Sequence, residues 1–396
     1  MNVPKIRFNN FTGEWQQIDL NNIFIYFSTN SLSRDQLSDS GKIKNIHYGD
    51  IHRKFSTIID VESDVDTYIK DIDYNNKYEL CKNNDLIFAD ASEDYDGIGK
   101  AIEITNIKCD TISGLHTILA RDNSNVFAPK FKGYYFNSPI IHNQIRILAN
   151  GFKVYGISKD TINKLSVKIP SYMEQEKIAN TLELLDKKIE LQSKKIEDLK
   201  LLKLFLREKL FYIFPTDNKK LSEILIKWNK KNKDNKYSYV ESVSNKFGFI
   251  AQNEQFEDRN VASNDTSNYY VIEKDVFAYN PSRLNVGSLA LKQNDKVSLV
   301  SPLYECFTTN QNQDFMLEWF QSKEFRRGTF SKYEGGVRNT LNFNNLSSIE
   351  IKLPNLESQN KIVKVLSCYN KMIDLELKKL NKLLEFKKGL MQQLFI

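Results

Sequence analysis

One stretch of this chain is written twice, and the repetition limits what the chain can fold into. Ile169-Pro170-Ser171-Tyr172-Met173-Glu174-Gln175-Glu176-Lys177-Ile178 returns as Leu353-Pro354-Asn355-Leu356-Glu357-Ser358-Gln359-Asn360-Lys361-Ile362, with an ungapped shift of 184 residues that then holds as far as Leu210-Phe211 against Leu394-Phe395. In the first copy apolar side chains recur at gaps of four and three, at Ile178, Leu182, Leu185, Ile189, Ile196, Leu199, Leu206 and Leu210. The second copy answers with Ile362, Leu366, Tyr369, Ile373, Leu380, Leu383, Leu390 and Leu394. A mean period of 3.5 marks a helix that supercoils against another helix. The interruptions repeat too: Gln192 and Lys203 break the first seam where Glu376 and Lys387 break the second. Matching defects argue for duplication, since two unrelated amphipathic helices have no reason to break at the same places. Two surface helices on a globular core are disfavoured, because such a helix carries a broader stripe of period 3.6 and rarely stays in phase for about nine turns.

Each helix carries its own punctuation. Pro170 precedes the first, Glu174 and Glu176 fall in its first turn beside the positive pole, and Lys203, Arg207 and Lys209 gather at its far end. Pro215 with Asp217 and Asn218 supplies a stop. A helix from Glu174 to Phe211 is roughly 55 Å long at 1.5 Å per residue.

At 396 residues, 41% of them hydrophobic, the chain exceeds one ordinary core. The expected order is a globular domain over residues 1–168, a helix over 169–214, a second globular domain over 215–352 and a second helix over 353–396. Asp85–Asp90 and Lys100–Ile104 read as strands joined by the loop 91–99. In the second domain Val276–Tyr279 and Val297–Val300 read as strands and Phe315–Arg327 as a helix. The fold class is therefore α+β. The repeat begins ahead of the helices, with Gly151–Ile162 matching Gly335–Leu346, whereas the globular parts otherwise diverge. A scaffold kept the same beneath differing globular parts suits one mechanical job and two targets.

Several function classes are excluded or disfavoured. No apolar run is long enough to span a membrane and the N-terminus lacks a signal-peptide core, so a soluble cytoplasmic protein is expected. Cys81, Cys109, Cys306 and Cys368 form no CxxC pair and are expected to be reduced and buried. The four histidines show no HExxH spacing, so no metal site is expected. No Walker motif appears, and Asn280-Pro281-Ser282-Arg283 lacks the second proline and the stacking aromatic that an amino-methyltransferase needs. No catalytic residue is assigned. A net charge of +6 permits nucleic-acid binding without demanding it.

Globular domain, Leu/Ile-Pro-x-x-x-x-Gln-x-Lys-Ile helix, globular domain, same helix: this order resembles the DNA-specificity subunit of type I restriction-modification systems. Supporting phrases are Gly151-Phe152-Lys153-Val154-Tyr155-Gly156-Ile157-Ser158, Gly335-Gly336-Val337-Arg338-Asn339-Thr340-Leu341, Asp85–Asp94 and Phe277–Gly287. The second copy departs from the pattern in having Glu357-Ser358-Gln359 where the first has Glu174-Gln175. The resemblance covers the whole chain. It implies a non-catalytic subunit that reads a bipartite double-stranded DNA sequence, one half per target-recognition domain, in host defence against foreign DNA. It also implies two methyltransferase subunits and two restriction/motor subunits as partners, with S-adenosylmethionine, ATP and Mg bound by those partners and no cofactor in this chain.

Two like helices pairing antiparallel within one chain would carry the attached domains to opposite ends of a rod longer than one turn of duplex, about 34–36 Å. Rod length would then set the length of an unread spacer, and unlike domains would make the site asymmetric. Parallel pairing is the competing geometry. The polar seam residues Gln192, Glu376, Lys203 and Lys387 read as register devices or as partner-docking groups. Candidate DNA contacts, chosen as cations and forked donors, are Arg121, Lys130, Lys132 and Tyr134 in the first domain. In the second they are Arg259, Arg283, Asn285, Arg326, Arg327, Lys332, Arg338 and Asn339. Any one of these is also readable as a solvated surface group. The run Lys219, Lys220, Lys227, Lys230, Lys231, Lys233 and Lys236 is either a phosphate track or a solvated linker. The acidic loop at Glu93, Asp94 and Asp96 is a turn or an acceptor for cytosine amino groups. A coiled-coil adaptor with protein-binding domains is the alternative function, and salt-dependent, sequence-selective binding to duplex DNA would separate the two.

Overall fold

The structure is a computed structural model that describes residues 3–70, 78–151, 153–245, 247–252, 265–333 and 340–396. Two compact units are present: Met1–Ser193 with Lys378–Ile396, and Lys194–Leu377. Each therefore joins one globular domain to half of each long helix.

In the first unit a five-stranded sheet runs in the order Phe24–Phe27, Thr117–Asp122, Leu86–Ala89, Ala101–Thr105, Ile58–Asp60. Only the edge strand Ile58–Asp60 runs parallel to its neighbour. The strand expected over 85–90 spans Leu86–Ala89, is buried throughout, and alternates its side chains between two cores. Leu86 and Phe88 pack with Phe131, Tyr134, Tyr135 and Phe136, whereas Ile87 and Ala89 pack with Ile46, Ile51 and Phe55. The helices Phe131–Phe136 and Pro139–Leu148 close the first of these cores.

The second unit repeats the plan. Its four-stranded sheet runs Leu225–Lys227, Glu305–Thr309, Phe277–Tyr279, Leu289–Leu291, which is the order of the first four strands above. Phe277 and Tyr279 face one core and Ala278 another. The single helix expected over 315–327 is two, Gln313–Phe320 and Lys323–Phe330, because Ser322 accepts a hydrogen bond from the Phe325 amide and starts a new helix. The basic run from Lys219 is no linker. Lys219 and Lys220 lie in a strand, Thr216–Lys220, that pairs antiparallel with Glu350–Pro354, and Lys227 lies in the sheet. Lys219, Lys227 and Lys230 pair with Glu223, Glu305 and Glu273, and the Lys231 ammonium lies over the Tyr270 ring. Asp217 and Asn218, expected as a helix stop, belong to the same strand.

The two repeated segments are helices Tyr172–Leu210 and Leu356–Gln393. They run antiparallel: as the first advances from Asp186 to Lys195, its partner retreats from Lys387 to Glu376, with ion pairs of 2.5 Å and 3.0 Å at those two points. Ile178, Leu182, Leu185, Ile196, Ile362, Leu366, Ile373 and Leu394 are buried. Ile189, Leu199, Leu206, Leu210, Tyr369, Leu380, Leu383 and Leu390 are half-buried, so every seam position is at least partly covered. Apolar side chains also remain outside the seam, with Leu184, Leu191, Leu201, Phe205, Leu375 and Phe386 all exposed.

The polar seam residues differ in what they do. Glu376 and Lys387 bind across to the opposite helix, whereas Lys203 reaches Glu318 of the globular domain at 2.6 Å beside Arg207. The glutamine shared by both copies has a definite job. Gln175 accepts from the Ala128 amide and donates to the Val126 and Pro170 carbonyls. Gln359 accepts from the Asn312 amide and donates to Gln311 and the Pro354 carbonyl. Each amide locks its helix start to the turn that opens the helix pair of its own domain. Glu174, expected as a dipole partner, is buried and forms a bidentate pair with Arg7 at 2.8 and 2.7 Å.

Candidate nucleic-acid interface

In each unit the stretch just before the seam helix is laid beside the loop that leaves the first central strand. The Ile157 amide donates to the Asp90 carbonyl at 2.8 Å, and the Leu341 amide donates to the Pro281 carbonyl at 3.0 Å. In the first unit Tyr155–Gly156 also pairs antiparallel with Ala91–Ser92. The supporting stretches belong to the repeat, while the loops opposite them, Asp90–Gly97 and Asn280–Gly287, do not match. A shared frame thus carries two different tips.

The tip of the first unit is built from the acidic loop. The Asp94 carboxylate accepts from the Asp96 amide at 2.9 Å, and Ser92 accepts from the Asp94 amide at 3.1 Å. Gly99 has φ of +71°, and a Cβ there would lie 2.6 Å from the Ile145 side chain, so only glycine lets the helix Pro139–Leu148 come this close. His142 bonds the Ile98 carbonyl at 3.1 Å. That contact places Arg146 over the Tyr95 ring at 4.6 Å and 3.3 Å from Asp96, with Tyr155 4.9 Å from Tyr95. On the opposite side of the loop, His116 pairs with Asp90 at 3.2 Å and Tyr48 packs edge-on to both His116 and His52. Burial pushes the Asp90 carboxyl above its ordinary range.

The tip of the second unit is a short turn, Leu284–Val286, whose closing Gly287 has φ of +88°. Asn280 accepts from the Ser282 amide, Asn245 donates to the Val286 carbonyl, and Leu284 is buried beneath. Arg283 and Asn285 project from this turn and are exposed.

The residues expected to touch DNA fall into distinct groups. Arg121 donates twice to Asp85 at 2.9 and 2.8 Å, once to Glu79 at 2.6 Å and once to the Leu80 carbonyl, and it lies 4.5 Å above the Phe27 ring. The hydrogen bonds to Asp85, against a smaller opposing effect of burial, raise its pKa further. Lys132 is buried 3.4 Å from the buried Glu103, whose carboxylate also accepts from the Lys130 and Gly133 amides. Burial raises the Glu103 pKa. The Lys130 ammonium binds Glu183 at 2.7 Å, and the Tyr134 hydroxyl donates to Asp186 at 2.9 Å. Lys130, Lys132 and Tyr134 thus dock a helix pair onto the sheet and the seam, Arg121 ties its strand to the segment Glu79–Asp85, and the four do not form an open surface. Arg283 and Asn285 lie at a tip. Arg326 and Arg327 are exposed on the helix Lys323–Phe330, with Arg326 donating to the Gln321 carbonyl, and Lys332 is half-buried. Arg259, Arg338 and Asn339 lie outside the described residues. Arg146 and Tyr95 escaped the sequence reading because an arginine within an amphipathic helix carries no mark of what stacks on it.

Among the described residues no group of three or more His, Cys, Asp or Glu could hold a metal ion. Cys81 and Cys306 are buried as expected and burial pushes both thiols up, whereas Cys109 is half-buried and Cys368 is exposed. All four are free. No helix among the described residues is long and apolar enough to cross a membrane.

The profile of the type I restriction modification DNA specificity domain matches residues 12–201 and, a second time, 214–385. The chain belongs to this family. Two specificity domains, each ending in a seam helix, account for the internal repeat. No curated protein matches the sequence. Among solved structures, the type I restriction-modification S subunit from M. genitalium aligns over 100% of this chain and 99% of its own, with a TM-score of 0.55 and 16% identity. A chain from a study of complex assembly and conformational transition of the type I R-M system aligns over 97% of this chain and 98% of its own, with a TM-score of 0.62 and 13% identity. At these identities the likeness is one of fold.

Proposed function

We propose that this specificity subunit reads an asymmetric, bipartite duplex sequence, one half through each globular domain, and that it is itself non-catalytic. The reading rests on one observation: the same strand order and the same supporting frame occur twice, topped by unlike loops. Unlike tips on like frames give two different half-sites. The antiparallel sense of the seam helices supports an unread spacer set by their length, since each is about 57 Å long at 38 or 39 residues.

The partners in this reading are two methyltransferase subunits and two restriction/motor subunits, which bind S-adenosylmethionine, ATP and Mg and do the chemistry. Support comes from Leu184, Leu191, Leu201 and Phe205, which stand exposed on the first seam helix although the seam itself is already filled. The place of action is the cytoplasm, where host and foreign DNA meet. The test is to co-express the chain with its methyltransferase subunit and map the methylated adenines across a genome. A motif of two unlike halves around a fixed gap is expected; a contiguous motif, or marks without sequence preference, overturns the proposal.

A further inference from the structure

We propose that Arg146 is the guanine-reading residue of the first domain, held ready by Tyr95 and Asp96. The proposal rests on the reading of the chain as a DNA-specificity subunit and adds to it the residue that sets one position of one half-site.

Geometry comes first. The helix Pro139–Leu148 is fastened to the tip loop at three successive points: His142 to the Ile98 carbonyl, Ile145 against Gly99, and Arg146 on Tyr95. The Tyr95 hydroxyl donates back to the Arg146 carbonyl at 3.1 Å, so ring and guanidinium are fixed as a pair. The guanidinium carbon lies 4.6 Å from the Tyr95 ring centroid, and an arginine held over an aromatic face can present its N–H fork for two parallel hydrogen bonds to O6 and N7 of guanine. Its ion partner is replaceable: the Asp96 side chain is 76% exposed and meets Arg146 through a single 3.3 Å contact.

Charge points the same way. Asp90, Glu93, Asp94 and Asp96 crowd this tip, so it would repel a phosphate track. Carboxylates in such a loop suit base edges, where they accept from the cytosine amino group, and a stacked arginine supplies the complementary donor for guanine. Of the other arginines of the unit, three are held by carboxylates. Arg7 binds Glu174, Arg34 binds Asp50, Arg121 binds Asp85 and Glu79, and Arg53 ends the short helix Tyr48–Arg53. Among the described residues the second domain presents Arg283 on the corresponding loop.

The experiment uses the full chain co-expressed with its methyltransferase subunit, with methylated adenines mapped for the wild type, Arg146→Lys and Arg146→Ala. Lysine keeps the charge but loses the fork. For Arg146→Lys we expect one guanine position in one half-site to become degenerate, with discrimination there falling by about 5- to 150-fold, while the other half and the gap stay as in the wild type. Arg146→Ala should relax the same position. An unchanged motif in both variants overturns the proposal, as does a uniform fall at every site, which would mark Arg146 as a backbone contact or a folding residue. Failure of the underlying reading is distinguishable, because the wild type would then show no two-part motif.

Discussion

Arg121 and Arg146 show at the scale of single residues why charge type alone does not locate a binding surface. Both are arginines of the first domain, yet one is clamped by Asp85 and Glu79 and the other lies stacked on an exposed loop. Arg121→Ala leaves the buried Asp85 carboxylate without its partner, so it should cost about 3–5 kcal/mol of stability. Urea unfolding reads that loss, and a methylation motif unchanged in the surviving folded protein would confirm a structural role. His47 makes a second test. Its ring nitrogen Nδ1 accepts from the Gly49 amide, and burial, aided by Arg34 and His116 against Asp50, lowers its pKa from the ordinary 6.5. A base whose folded pKa is depressed takes up protons more readily when unfolded, so its contribution is complete above pH 6.5 and is lost as pH falls through the lower folded value. Unfolding midpoints measured between pH 7.5 and pH 5 should therefore fall with acidity, and His47→Asn should flatten that slope. Little of this was legible in advance. The carboxylates that bind Arg121 lie 36 and 42 residues away in sequence, and only the fold brings them together.

At the scale of elements the sequence spoke clearly wherever a period was long. The seam helices run from Tyr172 and Leu356 as their apolar spacing demands, and the strand Leu86–Ala89 follows from an uninterrupted apolar run between turn residues. The break at Gln321–Ser322 was missed because the apolar pattern continues across it and only a serine cap divides the helix. Seam burial is uneven, and this sets an ordering. Leu182→Ala, at a fully buried position, should cost about 2–5 kcal/mol, and Leu199→Ala, half-buried, less than half as much. Equal losses at the two positions in thermal or urea unfolding would show that the middle of the seam is covered more deeply than the structure has it. Gln175 and Gln359 were visible as repeated letters, but their task of pinning each helix start to its own domain was not, since the Ala128 and Asn312 amides they cap lie 47 residues upstream.

At the scale of the whole molecule the two compact units differ in how the chain supplies them. Lys194–Leu377 is one continuous stretch, whereas the other unit needs Lys378–Ile396 to complete a core begun at the opposite end of the sequence. Phe395 meets the rings of Phe131 and Tyr135 at 5.9 and 5.5 Å, and Leu394 is buried in the same core. Phe395→Ala should destabilise this unit by about 3–5 kcal/mol. Limited proteolysis should then cut within residues 1–193 while 194–377 stays resistant, and even cleavage of both stretches would count against the division. A duplicated sequence does not imply equal histories during synthesis. The ribosome delivers everything that the continuous unit needs before it delivers the strip that seals the other, so the unit begun earlier in the chain is completed after the one begun later, and until then the side of Phe131 and Tyr135 that Phe395 covers stays open.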